Sequence, residues 1–275
     1  MTQHDFPPLD PPEVGLVIVG DEILSGKRED KHMPKVIELL AARGLQLAWA
    51  EYVGDVPERL TATLKRAFAS GNVVFSCGGI GATPDDHTRR CAGEALGVPL
   101  ELHPQAEALI RERMQDVARE QGVAYEPNRP DNIHRLNMGV FPAGARLIPN
   151  PYNKIPGFSV GHVHFVPGFP VMAWPMIEWV LDDQYAHLAG ARAQVEMSVI
   201  VFGSMEASLT PLMEEIERDH PGARVFSLPS VDHPLYGRHI DLGVKGQPER
   251  VEPAYAQLLA GLTAVGARLG PQMVR

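Results

Sequence analysis

Cysteine is nearly absent from this chain, with Cys77 and Cys91 the only two in 275 residues. That usage fits neither a disulfide framework nor the paired spacing of a zinc site, so cytoplasm is the expected compartment. Long apolar runs are also missing. A membrane-crossing helix needs about 18 apolar residues or more, and the longest candidate, Val171 to Leu181, contains Pro175 and Glu178. At the N-terminus Pro7, Pro8, Pro11 and Pro12 stand where a signal peptide would have a basic and then an apolar region, and residues 1–12 read as a mobile tail. Positive charge is the third shortage. With 25 Lys and Arg against 34 Asp and Glu, the formal charge is -9, which argues against nucleic acid, because binding it depends on cations that neutralise phosphates. Any phosphorylated ligand must then be held by backbone amides, local basic residues or a metal.

The remaining composition is that of a globular protein, 44% hydrophobic and 21% charged, with 26 Gly and 25 Pro placed at turns rather than in one block. From Glu13 onward strand and helix patterns alternate. Val14 to Val19 reads as a buried strand, with a helix from Pro34 to Arg43. Leu45 to Val53 is a second strand, and a helix follows from Pro57 to Ala69. Asn72 to Cys77 is a third, followed by a helix that ends at Leu96 before Gly97. Strand and helix in alternation at short spacing predict a parallel sheet with right-handed crossovers, the α/β doubly wound class. A helix over Gln105 to Gln121 carries Ala108, Leu109, Val117 and Ala118 as its apolar stripe, and short strands are expected at Arg146 to Ile148 and His162 to Val166. Near residue 190 the rhythm changes: strands at Gln194 to Phe202, Ala223 to Leu228 and His239 to Val244, with helices at Leu209 to Asp219 and Glu252 to Leu269, predict a smaller α+β domain over 191–275. The main domain then spans 13–190.

Chemistry concentrates in Ser76-Cys77-Gly78-Gly79-Ile80-Gly81-Ala82-Thr83-Pro84-Asp85-Asp86, which joins a strand to a helix through three glycines and ends in two carboxylates. Thr83 suits an N-cap, Pro84 the first helical position, and Asp86 the third. Glycines allow backbone N–H groups to approach an anion, and a helix N-terminus adds partial positive charge. Gly78, Gly79, Gly81 and Thr83 are therefore the candidate phosphate binders. A plainer account has Asp86 completing a capping box or pairing with Arg89 or Arg90.

Ligands of open parallel sheets bind beyond the carboxyl ends of the strands. Three strands here end in acidic or glycine-rich loops, at Gly20-Asp21-Glu22, at Gly54-Asp55 and at Gly78 through Asp86. Carboxylates gathered beside phosphates repel unless a divalent cation lies between them, so Asp21, Glu22 and Asp86 are the candidate metal ligands and magnesium the expected ion. Asp55 can equally be a helix N-cap, and Lys27, Arg28 and Lys31 a solvated face. His162 and His164 share one face of a strand but lack a third ligand at suitable spacing, so they read as surface or satisfied core histidines. Cys77 reads as a small buried residue.

Taken together, Gly20-Asp21-Glu22-Ile23-Leu24-Ser25-Gly26, Gly54-Asp55-Val56-Pro57-Glu58-Arg59 and Gly78-Gly79-Ile80-Gly81-Ala82-Thr83-Pro84-Asp85-Asp86-His87-Thr88 resemble the MoaB/Mog molybdopterin-binding domain of the competence/damage-inducible protein A (CinA) family. The turns Pro149-Asn150-Pro151, Pro156-Gly157-Phe158 and Val166-Pro167-Gly168-Phe169-Pro170 agree with that family. Ala82 stands where the family often has proline, and Lys31-His32 where it often has an Asn-containing turn.

The resemblance implies a three-layer α/β domain that binds a nucleotide or a pterin phosphate, with Asp55 and Asp86 as the catalytic positions. It further implies metal-dependent hydrolysis of ADP-ribose-like pyrophosphates, with adenylyl transfer to molybdopterin or binding without catalysis as the alternatives. A homo-oligomer is the expected assembly.

Overall fold

The computed structural model describes residues 13–189 and 195–275. The expected tail at 1–12 and the expected strand start at Gln194 lie outside the described residues. The chain divides into two units with the boundary after Ala189.

In the first unit, β1 (Val14–Val19) has every residue buried and is followed by a one-turn helix α1 (Asp21–Leu24), α2 (His32–Ala41), β2 (Leu47–Val53) and α3 (Pro57–Ala69). Next come β3 (Val73–Cys77), α4 (Thr88–Leu96), β4 (Leu100–Leu102), α5 (Pro104–Glu120) and α6 (Pro130–Arg135). The unit closes with β5 (Val140–Pro142), β6 (Arg146–Ile148), β7 (Gly157–Val160), β8 (Val163–Val166) and α7 (Pro170–Gln184).

Six of these strands form one sheet in the order β2-β1-β3-β8-β7-β6. The pairs β1 with β2, β1 with β3 and β3 with β8 are parallel, while β7 and β6 continue the sheet antiparallel. Alternate residues of β1 serve opposite faces. Leu16 and Ile18 pack with α2 and α7 through Val36, Leu40, Met176 and Ile177. Val17 and Val19 pack with α3 and α4 through Leu60, Leu64, Cys91 and Ala92. This makes three layers, a mostly parallel sheet between two helical layers, and it follows from the period-two alternation of strands buried on both faces.

Phe141, Phe158 and Phe165 stack in the second core, with centroids 4.6 Å and 4.4 Å apart. His164 is fully buried between the Ser159 hydroxyl at 2.8 Å and the Tyr185 hydroxyl at 2.8 Å, and burial pushes its pKa down to about 3. His162 Nδ1 lies 3.2 Å from the same Tyr185 hydroxyl. These histidines form a satisfied polar network.

Some expected elements differ. The helix after the glycine run begins at Thr88 rather than around Thr83, because Asp86 folds back onto the amides before it and the chain turns once more. Helix α5 buries Ala106, Ile110, Met114 and Ala118, a stripe rotated from the expected one.

The second unit comprises β9 (Val195–Phe202), α8 (Glu206–Asp219), β10 (Arg224–His233), β11 (Gly237–Gly246), α9 (Pro248–Ala264) and β12 (Arg268–Val274). Its sheet is antiparallel in the order β10-β11-β9-β12, and Leu209, Ile216, Tyr255 and Leu258 of the helices pack on Val199, Val201, Leu242 and Val244. The expected helix to Leu269 stops early. Gly266, at φ 71°, turns the chain back, and Arg268–Val274 becomes a strand on β9.

Candidate functional site

The sheet order places β1 between β2 and β3, so the chain leaves β1 at a topological switch point, where open α/β sheets form their crevice. The strand ends are level there. Gly20 N–H donates to Val53 O at 3.0 Å and Gly78 N–H to Val166 O at 3.0 Å, which ties β1 to β2 and β3 to β8 at the carboxyl edge. A cleft of about 390 Å³ opens beyond them. Its lining comes from four loops: Gly20, Glu22 and Arg28 after β1, Asp55 after β2, Gly78 to Asp86 except Pro84 after β3, and Pro167 to Phe169 after β8.

The glycine loop is held from beneath. Thr88 Oγ1 donates to Gly78 O at 3.0 Å and Thr88 N–H to Gly79 O at 3.0 Å. The buried Arg89 guanidinium donates to Ile80 O, and His134 Nε2 lies 2.8 Å from Ala82 O. In a trans peptide the N–H points opposite to the C=O of the same plane. With the carbonyls of Gly78 and Gly79 turned toward Thr88, the N–H groups of Gly79 and Ile80 point away from α4. Among the described residues neither meets an acceptor. Two outward amides on adjacent residues are a donor pair for an oxyanion.

The other expected phosphate donors are engaged within the protein. Gly78 N–H is used on β8, while Gly81 N–H donates to Asp86 Oδ1 at 2.8 Å and Thr83 N–H to Asp86 Oδ2 at 2.7 Å. Thr83 Oγ1 also donates to Asp86 Oδ2, at 2.6 Å. The glycines themselves answer to packing. A side chain on Gly78, at φ 109°, would enter the Val19 carbonyl, and one on Gly79, at φ 68°, would enter Thr88.

The carboxylates separate into two kinds. Asp86 braces its own loop with both oxygens. Asp55 and Asp21 clamp each other's backbone: Asp21 N–H donates to Asp55 Oδ2 at 2.9 Å, and Asp55 N–H to Asp21 Oδ1 at 3.1 Å. Helix α3 has Val56 at its N-cap with no side-chain capping bond, so Asp55 is not a cap. Asp55 Oδ1 meets no donor among the described residues. Burial first, and then the negative charges of Asp21, Glu22 and Asp85, raise the Asp55 pKa above the ordinary carboxylate value, against the lowering pull of the Asp21 N–H. A half-buried carboxyl with one free oxygen and a raised pKa suits proton transfer.

The expected metal set of Asp21, Glu22 and Asp86 is not drawn together. Among the described residues no three His, Cys, Asp or Glu side chains stand close enough to cage an ion. Asp86 is engaged by its loop, Asp21 Oδ1 accepts from Asp55 N–H, and Glu22 Oε1 accepts from Arg28 Nη1 at 3.3 Å. Cys77 is buried, and burial raises its thiol pKa further, so it supplies no nucleophile.

Sequence reasoning did not place the Pro167-Gly168-Phe169 loop in the site. Its signal was present, since the strand Val163–Val166 runs into a glycine-containing turn, as do β1, β2 and β3. Phe169 is 56% exposed, with the Arg28 guanidinium 5.9 Å from its ring centroid. His32 Nε2 lies 3.1 Å from Gly168 O, which can only accept, so this nitrogen carries the proton. Burial lowers the His32 pKa and keeps the ring neutral. Asp30 stands one residue before the Lys31 N-cap of α2, and its carboxylate accepts from His32 N–H at 2.8 Å and Met33 N–H at 3.1 Å.

Removal of the Asp86 brace has a local expected outcome. In Asp86→Ala the amides of Gly81 and Thr83 lose their acceptor, and their hydrogen exchange should accelerate at least tenfold, about 1.4 kcal/mol of local protection, while amides in β1 and β3 keep theirs. Unchanged exchange at these amides would remove the bracing role.

The family model described as a probable molybdopterin binding domain matches residues 15–187. A CinA-like protein of Anaeromyxobacter sp. (strain K) is 32% identical over 210 residues, covering 74% of this chain and 49% of that protein. A CinA-like protein of Geobacter metallireducens is 29% identical over 267 residues, covering 95% of this chain and 61% of that protein. The chain spans about half the length of the first of these curated relatives. Among solved structures, the protein CinA of Thermoplasma acidophilum, described as of unknown function, is 25% identical with a TM-score of 0.52, over 62% of this chain and 98% of that one. Among the described residues no helix is long and apolar enough to cross a membrane.

Proposed function

The chain belongs to the molybdopterin-binding-domain family, and from that premise we propose that its cleft binds the diphosphate of a nucleotide- or pterin-type ligand and hydrolyses the phosphoanhydride with a divalent cation. The observation that carries this reading is the pair of outward N–H groups at Gly79 and Ile80, opening into the same cleft as the half-free, elevated-pKa carboxyl of Asp55. The amides hold one phosphate oxygen and stabilise the charge that grows on it. Asp55 takes a proton from the attacking water as its oxygen bonds to phosphorus, and the bridging P–O bond breaks toward the departing phosphate. Arg28, at the cleft wall, offers positive charge to that leaving group.

The donor set fits magnesium in one form only. Magnesium is commonly held by one or two carboxylates plus substrate phosphates rather than by an all-protein cage. Glu22, which lines the cleft, would supply such a carboxylate and the ligand's phosphates the remaining oxygens, leaving Asp55 Oδ1 free to take the proton. When bound, the ion neutralises phosphate charge and lowers the pKa of a coordinated water.

Calorimetric titration of pyrophosphate, ADP, AMP and ADP-ribose with and without magnesium tests the binding, and product analysis tests the cleavage. The diphosphates are expected to bind at least tenfold tighter with magnesium than without, AMP weakly, and ADP-ribose to yield AMP and ribose phosphate. A parent protein that binds none of these would end the reading, and adenylated product from ATP and molybdopterin would move it to adenylyl transfer.

A further inference from the structure

We infer that Phe169, with Arg28 beside it, is a stacking platform for a planar bicyclic nitrogen heterocycle, the purine or pterin end of the ligand. This rests on the diphosphate reading of the same cleft and says what the rest of the cleft is for. Exposure alone means little, since single apolar side chains are common on protein surfaces. Position and mounting distinguish Phe169.

Its loop is joined to the anion loop. Gly78 N–H donates to Val166 O, and a side chain on Gly168 would meet the Gly78 backbone, so Phe169 stands one residue beyond this close approach. The stem is rigid as well. Pro167 and Pro170 restrict the backbone on either side. Gly168 O is held by His32, and Phe169 O accepts from Met172 N–H at 3.0 Å and Ala173 N–H at 2.9 Å in the first turn of α7. A ring that is over half exposed on a fixed mount loses little freedom when something lies on it.

Chemistry and size agree. The cleft, at about 390 Å³, falls within the range of small-molecule sites and leaves room beyond a diphosphate. Arg28 lies 5.9 Å from the ring centroid, and its bond to Glu22 is long at 3.3 Å, so the guanidinium is available to the ring on one side and to ligand charge on the other. Stacking on an aromatic side chain tolerates any extended π-face. Purine and pterin share that face, and among the described residues that line the cleft none carries a side-chain amide to read a ring edge.

The test compares ADP, a pterin with a phosphorylated side chain, and inorganic pyrophosphate on the parent, Phe169→Ala and Phe169→Trp, by calorimetry with magnesium. Phe169→Ala is expected to weaken the ring-bearing ligand about tenfold or more and to leave pyrophosphate unchanged. Phe169→Trp restores the affinity, and its added indole emission is quenched by the ring-bearing ligand but not by pyrophosphate. Whichever of ADP and the phosphopterin suffers the loss identifies the heterocycle. Equal affinity of the parent and Phe169→Ala for both ring-bearing ligands overturns the platform, as does an equal loss for pyrophosphate. Failure of the parent to bind any of the three overturns the diphosphate reading itself, and the platform with it.

Discussion

Asp55→Asn is expected to slow phosphoanhydride cleavage roughly 10²–10⁴-fold, the usual contribution of a positioned acid or base. The amide oxygen of asparagine can accept the same Asp21 N–H, so the shape of the loop pair is kept while the charge and the proton acceptor are removed. Stability runs the other way. The folded Asp55 pKa lies above the ordinary value of 3.8, so the folded state keeps its proton to higher pH than the unfolded chain does. As pH rises from 3.8 through the raised value, this group therefore subtracts stability, and the deficit is complete above that window. Asparagine has no such deficit. The variant should be at least as stable as the parent at neutral pH, and the acidic limb of the rate profile, which reports ionisation of Asp55, should vanish. Steady-state rates and thermal midpoints across pH 3 to 8, measured on both proteins, check this; a variant with parental turnover would show that Asp55 is not the base.

Phe158→Ala is expected to cost about 3–5 kcal/mol of stability, the range for deleting a buried phenyl ring. Phe158 is fully buried, stacked on Phe141 on one side and on Phe165 on the other, and it pairs across strands with Leu147 and Phe165. Deletion leaves two ring faces without contact in a sheet with little slack. Because domains hold only about 5–15 kcal/mol in total, one substitution would consume a large part of it. Phe158→Leu keeps most of the volume and should cost clearly less. Denaturant midpoints of the three proteins decide the matter, and equal midpoints for Ala and Leu would show that the core relaxes around the gap.

Elements whose signals are local were legible in the sequence. Val14–Val19 and Pro57–Ala69 have the expected bounds, since an unbroken apolar run or a 3.6-residue stripe needs no distant partner to be read. Segments β4, β5 and β7 have three or four residues each, too short to show a period, and exist because of what they pair with. The start of α4 was misread for a similar reason. Thr83-Pro84 is a good local helix start, yet Asp86 finds better partners in Gly81 and Thr83 than in a cap. At the site, the meeting of the loops after β1, β2 and β3 was legible, because parallel strands deliver their carboxyl ends to one edge. Which amides remain open was not. That depends on where the carbonyls of Gly78 and Gly79 turn, which is set by Thr88 at the start of α4 through a contact that no periodicity reveals.

Thr88 holds two adjacent peptide planes at once, one with its hydroxyl and one with its own N–H. The aim of the Gly79 and Ile80 amides is thereby settled before a ligand arrives. On the proposed reading, an anion entering the cleft would meet a receptor already in its bound shape, and its capture would involve little reorganisation of the chain.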